Sequence, residues 1–178
     1  MLKKILIVLT IGMPLIFLPM PFAQEPASES VKTRPNKQEI IDLMTQIGRM
    51  PAPQQNSKID SLWQDFSVSK APRSDFLFCM GLAHLGSYKA QRCVANAYES
   101  GNGIVEDQSE AYAWYAIALE NKITDKTAEQ KIETDKERVK TRLISAYPHP
   151  TEDELDDMVR AQQTRITQYR EDVKKTKK

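Results

Sequence analysis

From Lys37 onward the apolar residues recur with a helical period. Ile40, Ile41, Met44 and Ile47 share one face, at i, i+1, i+4 and i+7. The stretch MPAPQQ (Met50 to Gln55) interrupts this pattern, and a second short helix carries Ile59, Leu62, Trp63 and Phe66. KAPRSD (Lys70 to Asp75) interrupts it again and leaves Ser74 to cap a strongly apolar helix running to Leu85. Gly86 ends that helix. The next, Tyr88 to Ser100, turns Ala90, Cys93, Val94 and Ala97 inward, and Gly101 closes it where a positive φ is needed. Asp107 caps another helix, and Glu110 three residues on makes a capping-box-like pair with it.

Ala111 to Leu119 is apolar without interruption. A surface helix would expose one polar face, so this helix is expected to lie between neighbours. Its alanines (Ala111, Ala113, Ala116, Ala118) leave room for close packing around Trp114 and Tyr115. Two longer helices follow, one with a seam of Ala128, Ile132, Val139, Leu143 and Ala146, the other with Leu155, Val159, Ile166, Tyr169 and Val173. YPHP (Tyr147 to Pro150) separates them, and Thr151 with Glu154 repeats the capping-box pattern. Strand alternation is lacking throughout. The pattern predicts an all-α domain over residues 37–174, built of stacked antiparallel helical pairs, with a C-terminal helix pair at 127–174.

The N-terminal end follows a different pattern. Lys3 and Lys4 precede an apolar run from Ile5 to Phe22, broken only by Thr10, and Ala23 precedes the polar Gln24. This is the layout of an export signal cleaved after Ala23, which places the mature chain in the periplasm or outside the cell. An uncleaved inner-membrane anchor is the alternative, disfavoured by Pro14, Pro19 and Pro21 within the run. Residues 24–36 read as a linker rich in Ser, Pro and Glu. Residues 175–178 read as a solvated basic tail. The formal net charge of the 178-residue chain is +1, and loss of the first 23 residues, with two lysines and no acid, makes it −1. No global field therefore favours nucleic acid.

Within Gly86 to Lys122 the chain carries Ala90-Gln91, Tyr98, Gly101, Gly103, Ile104, Asp107, Ala111, Trp114, Tyr115 and Ala118 in a fixed order and spacing. This combination resembles one unit of the Sel-one-like repeat family, relatives of the tetratricopeptide repeats. Phe78 sits at the position that Trp114 occupies in the better unit, so Asp75 to Leu85 resembles the second helix of a degenerate preceding unit. Val105 stands where the family's loop carries proline, and Cys93-Val94-Ala95 replaces its usual Asn-Leu-Gly. The resemblance implies an adaptor or assembly factor acting by protein binding. The physics concurs, because a helical pair cannot bury both its faces without stacked neighbours.

Catalytic chemistry finds little support in the residues. The only histidines are His84 and His149, and His84 with Cys79 and Cys93 lacks the tight ligand pairs of a zinc site. Haem attachment would need Cys-x-x-Cys-His, which is missing, so neither metal nor cofactor is expected. Ser67 and Lys70 make the Ser-x-x-Lys spacing of penicillin-recognising enzymes, but the companion elements are missing. A cell-wall-acting enzyme therefore ranks behind a non-enzymatic envelope adaptor, and a permanent structural subunit is the third reading.

Two further expectations follow from the pairing of helices about Gly86. Cys79 and Cys93 each lie seven residues from it, at about the same height on an antiparallel hairpin, so an oxidising compartment would favour a disulfide between them. Arg92, Asn96 and Glu99 form an i, i+4, i+7 stripe on the polar side of the Tyr88–Ser100 helix. As an exposed stripe they would contact a partner protein of the envelope, with the Arg92 fork holding a carboxylate.

Overall fold

The computed structural model describes residues 33–65, 72–146 and 148–176. Among them are seven helices and no strand: α1 (Lys37–Ile47), α2 (Ala52–Asp65), α3 (Arg73–Leu85), α4 (Tyr88–Ser100), α5 (Gln108–Leu119), α6 (Lys126–Ser145) and α7 (Glu152–Thr176). The all-α prediction holds. The signal, residues 24–32 of the linker, and Phe66, Ser67, Lys70 and Tyr147 lie outside the described residues. None of the described helices is long and apolar enough to cross a membrane.

Most helix ends follow the local sequence. Gly86 and Gly101 adopt φ of 106° and 69°, the left-handed conformation that ends a helix without a Cβ penalty. Thr151 and Glu154 form a reciprocal capping box, each side chain accepting from the other's backbone N–H. Asp107 caps α5 by accepting from the Glu110 N–H at 2.9 Å. The return half of that box is not made, because the Glu110 carboxylate turns to Arg165 of α7 at 2.8 Å. At α3 the expected cap moves. The helix begins at Arg73, with the extended Pro72 before it, and Ser74 lies within the first turn. At the other end, α7 runs to Thr176, into the stretch expected to be a tail.

The α4–α5 hairpin is the centre of the fold. α3 packs on α4, α1 on α3 and α7, and α2 on α4. α5 touches α4, α6 and α7, which explains its unbroken apolar sequence. Ala111 and Ala118 are fully buried, and Trp114 is 1 % exposed. The C-terminal helices depart from expectation. They do not pack together as a pair. Each packs on α5, and α7 also reaches α1 and α3.

The cysteines meet across the α3–α4 hairpin as their spacing implied. Both are fully buried, and the structure holds both as free thiols. Burial, together with the neighbouring Cys93, raises the Cys79 thiol well above its usual range, which suppresses the reactive thiolate. Iodoacetamide should leave both cysteines of the reduced, native protein unmodified over hours and alkylate both once the chain is denatured. Rapid native modification would show that the hairpin opens.

Candidate interaction surfaces

The stripe expected on the surface of α4 is covered. Arg92 is 3 % exposed and donates to Asp135 of α6 from Nε at 3.1 Å and from Nη2 at 2.8 Å. Arg138 holds the other Asp135 oxygen at 2.7 Å. Asn96 accepts from the Tyr115 hydroxyl of α5, which also bonds Glu99. Glu99 accepts a two-pronged contact from Arg138, both bonds 2.8 Å, and another from Arg142 at 2.9 Å. Arg92, Asn96 and Glu99 thus link α4 to α5 and α6 inside the molecule, and none of the three presents a free groove face to a partner. The cause is tertiary: α6 lies where the expectation placed solvent.

Electrostatics fit this internal role. Burial alone would raise the Glu99 carboxyl, but the hydrogen bonds from Arg138 and Tyr115 outweigh it and hold the group below its ordinary value. Burial and the nearby Glu99 carboxylate push the Tyr115 phenol well above its ordinary value. The ionised carboxylate and the neutral phenol are therefore the resting states at neutral pH.

The remaining repeat-like residues are structural. The Tyr98 ring meets Phe76 edge-on at 5.7 Å, and its carbonyl accepts from the Asp107 N–H at 2.9 Å. Gly103 has a positive φ of 74° in the turn between α4 and α5. Trp114 and Tyr115 are core residues.

An open surface instead lies where α6 and α7 diverge. Leu143 and Ala146 at the end of α6, Pro148 of the turn, and Met158 and Ala161 of α7 line a groove of about 570 Å³. Glu154 and Asp157 stand on its α7 side, and the large apolar Ile144 is exposed on the same stretch of α6. The first turns of α7 also carry Asp153 and Asp156, both exposed. Met158 and Ala161 among them were the available sign of an apolar strip beside an acidic one.

Among the described residues no group of three or more His, Cys, Asp or Glu is placed to hold a metal ion. Comparison with known proteins adds no relative: no family model, no curated protein and no solved structure matches the chain.

Proposed function

We propose that this chain is an exported, non-enzymatic adaptor or assembly factor of the cell envelope, and that it holds a partner's segment in the groove between α6 and α7. The groove carries the proposal, because it combines an apolar floor with an acidic border. Apolar anchors held in pockets supply most binding energy at protein interfaces, and charge at the rim sets orientation and association rate. The occupant that fits is an apolar side chain flanked by Lys or Arg. The resemblance of Gly86 to Lys122 to a Sel-one-like repeat, and the export-signal layout of the first 23 residues, support the adaptor class and the compartment.

Ala161 is exposed in the groove wall, so Ala161→Arg fills it and adds a cation with a stability change within about 0.5 kcal/mol. Cross-linked pull-down from the source envelope should recover a partner with the unaltered protein, and Ala161→Arg should reduce that recovery at least tenfold. The interaction should also weaken as salt rises. Equal recovery by both forms, with the variant's melting temperature unchanged, would remove the groove from the function.

A further inference from the structure

A second cavity lies within the helix stack, apart from the groove. It occupies about 60 Å³ between α1, α3, α5 and α7, with Arg34 and Pro35 before α1 on its wall. His84, Trp114 and Gln162 line it, and each is 2 % exposed or less. His84 Nδ1, Trp114 Nε1 and Gln162 Oε1 are buried and have no hydrogen-bond partner within the fold. Three orphaned polar atoms around one cavity are a costly arrangement, since each unmet group forfeits its solvation.

Their chemistry is specific. Trp114 Nε1 only donates and Gln162 Oε1 only accepts. Burial, with the nearby Arg165 and Arg170, brings the His84 pKa down to about 3, so the ring is neutral, and in its Nε2–H tautomer Nδ1 accepts. Arg165 pairs with Glu110 at 2.8 Å, and Arg34 pairs with Asp107 and lies 3.8 Å from Glu110. Arg170 adds a further positive charge near His84, which disfavours a cation, and a carboxylate or other anion without a proton has no donor for Gln162 Oε1. A neutral group with one acceptor and two donors would satisfy all three orphans.

We infer that this cavity binds a primary carboxamide, whose carbonyl oxygen accepts from Trp114 Nε1 while its NH₂ donates to Gln162 Oε1 and His84 Nδ1. The cavity has room for a group of this size. The same carboxamide occurs in a small free amide and in an asparagine or glutamine side chain of a bound peptide.

Acetamide titration followed by ¹H–¹⁵N NMR tests this. Trp63 and Trp114 are the only tryptophans, so Trp63→Phe identifies the Trp114 indole signal. Acetamide should shift that signal saturably. Acetone has the same shape and the acceptor but no donor, and should bind at least tenfold more weakly, because unmet buried groups penalise the analogue. Gln162→Met keeps the side-chain length and should weaken acetamide to a similar degree. N-acetylasparagine methylamide separates the sources: affinity equal to or above that of acetamide assigns the site to a peptide side chain, and its exclusion with acetamide still bound assigns it to a free amide. Absence of a saturable indole shift with either amide, or equal responses to acetamide and acetone, would overturn the inference and leave water as the cavity's occupant. The comparison of amide with ketone uses the unaltered site, so it stands even if Gln162→Met misfolds.

Discussion

Asp135→Asn should destabilise the fold by about 3–5 kcal/mol, the cost of leaving a buried charge without its counterion. Arg92 and Asp135 have side-chain exposures of 3 % and 8 %, so solvent cannot replace the lost carboxylate. Asparagine keeps the packing but sets an NH₂ against Arg92 or Arg138, so the loss combines charge with a hydrogen-bond mismatch. Against a total stability of about 5–15 kcal/mol for a domain of this kind, such a loss threatens folding at 37 °C. Urea denaturation should show a lowered midpoint with an unchanged slope. The double replacement Arg92→Met with Asp135→Leu should recover much of the loss, because apolar pairs of similar volume often replace buried ion pairs without penalty. A cost below about 1 kcal/mol for Asp135→Asn would mean that water reaches Arg92.

Acidification should destabilise the protein well before its ordinary carboxylates titrate. The pKa of His84 falls from 6.5 to about 3 on folding, from burial first and then from Arg165 and Arg170. The unfolded chain therefore takes up a proton at this residue below pH 6.5 that the native state refuses until about pH 3. Stability is fully present above pH 6.5 and is lost as pH falls through the window between the two values. The slope approaches about 1.4 kcal/mol per pH unit, so about 3 kcal/mol is lost by roughly pH 4. Below that, Glu99 adds a loss of the same sign, since its carboxyl is held below its ordinary value in the fold. His84→Phe keeps a flat ring against Trp114 and Tyr169, which His84 meets edge-on at 5.3 Å and stacked at 5.2 Å. Melting temperatures of this variant should be nearly flat between pH 6.5 and pH 5, where the unaltered protein already declines. Parallel curves for the two proteins would exclude His84 as the titrating group.

The two predictions rest on residues whose placement was half visible beforehand. Asp135 falls between Ile132 and Val139 on the seam of α6, at a spacing that puts it on the apolar face. Gln162 likewise falls between Val159 and Ile166 on the seam of α7. A polar residue on an apolar seam announces that it will be buried, but not what it will meet. Arg92 carried the opposite signal, since a lone arginine on a helix otherwise polar on that side reads as solvated.

Local chemistry in the chain was sufficient to determine the helices, their ends at Gly86 and Gly101, the capping box at Thr151 and the burial of α5. Each of these depends on side chains within a turn or two of one another, or on an apolar stretch too long to face water. The neighbours of α5 were another matter. An all-apolar helix accepts partners on any side, so its sequence is silent on which helices cover it. Only the tertiary packing set α6 and α7 on α5 instead of on each other. That choice buried the Arg92, Asn96 and Glu99 stripe, opened the groove at the far end of α6, and brought His84, Trp114 and Gln162 from three helices around one cavity. Helical periodicity acts over a few residues, whereas the contacts of the stripe join positions 16 to 43 apart, as Glu99 with Tyr115 and Arg92 with Asp135 do.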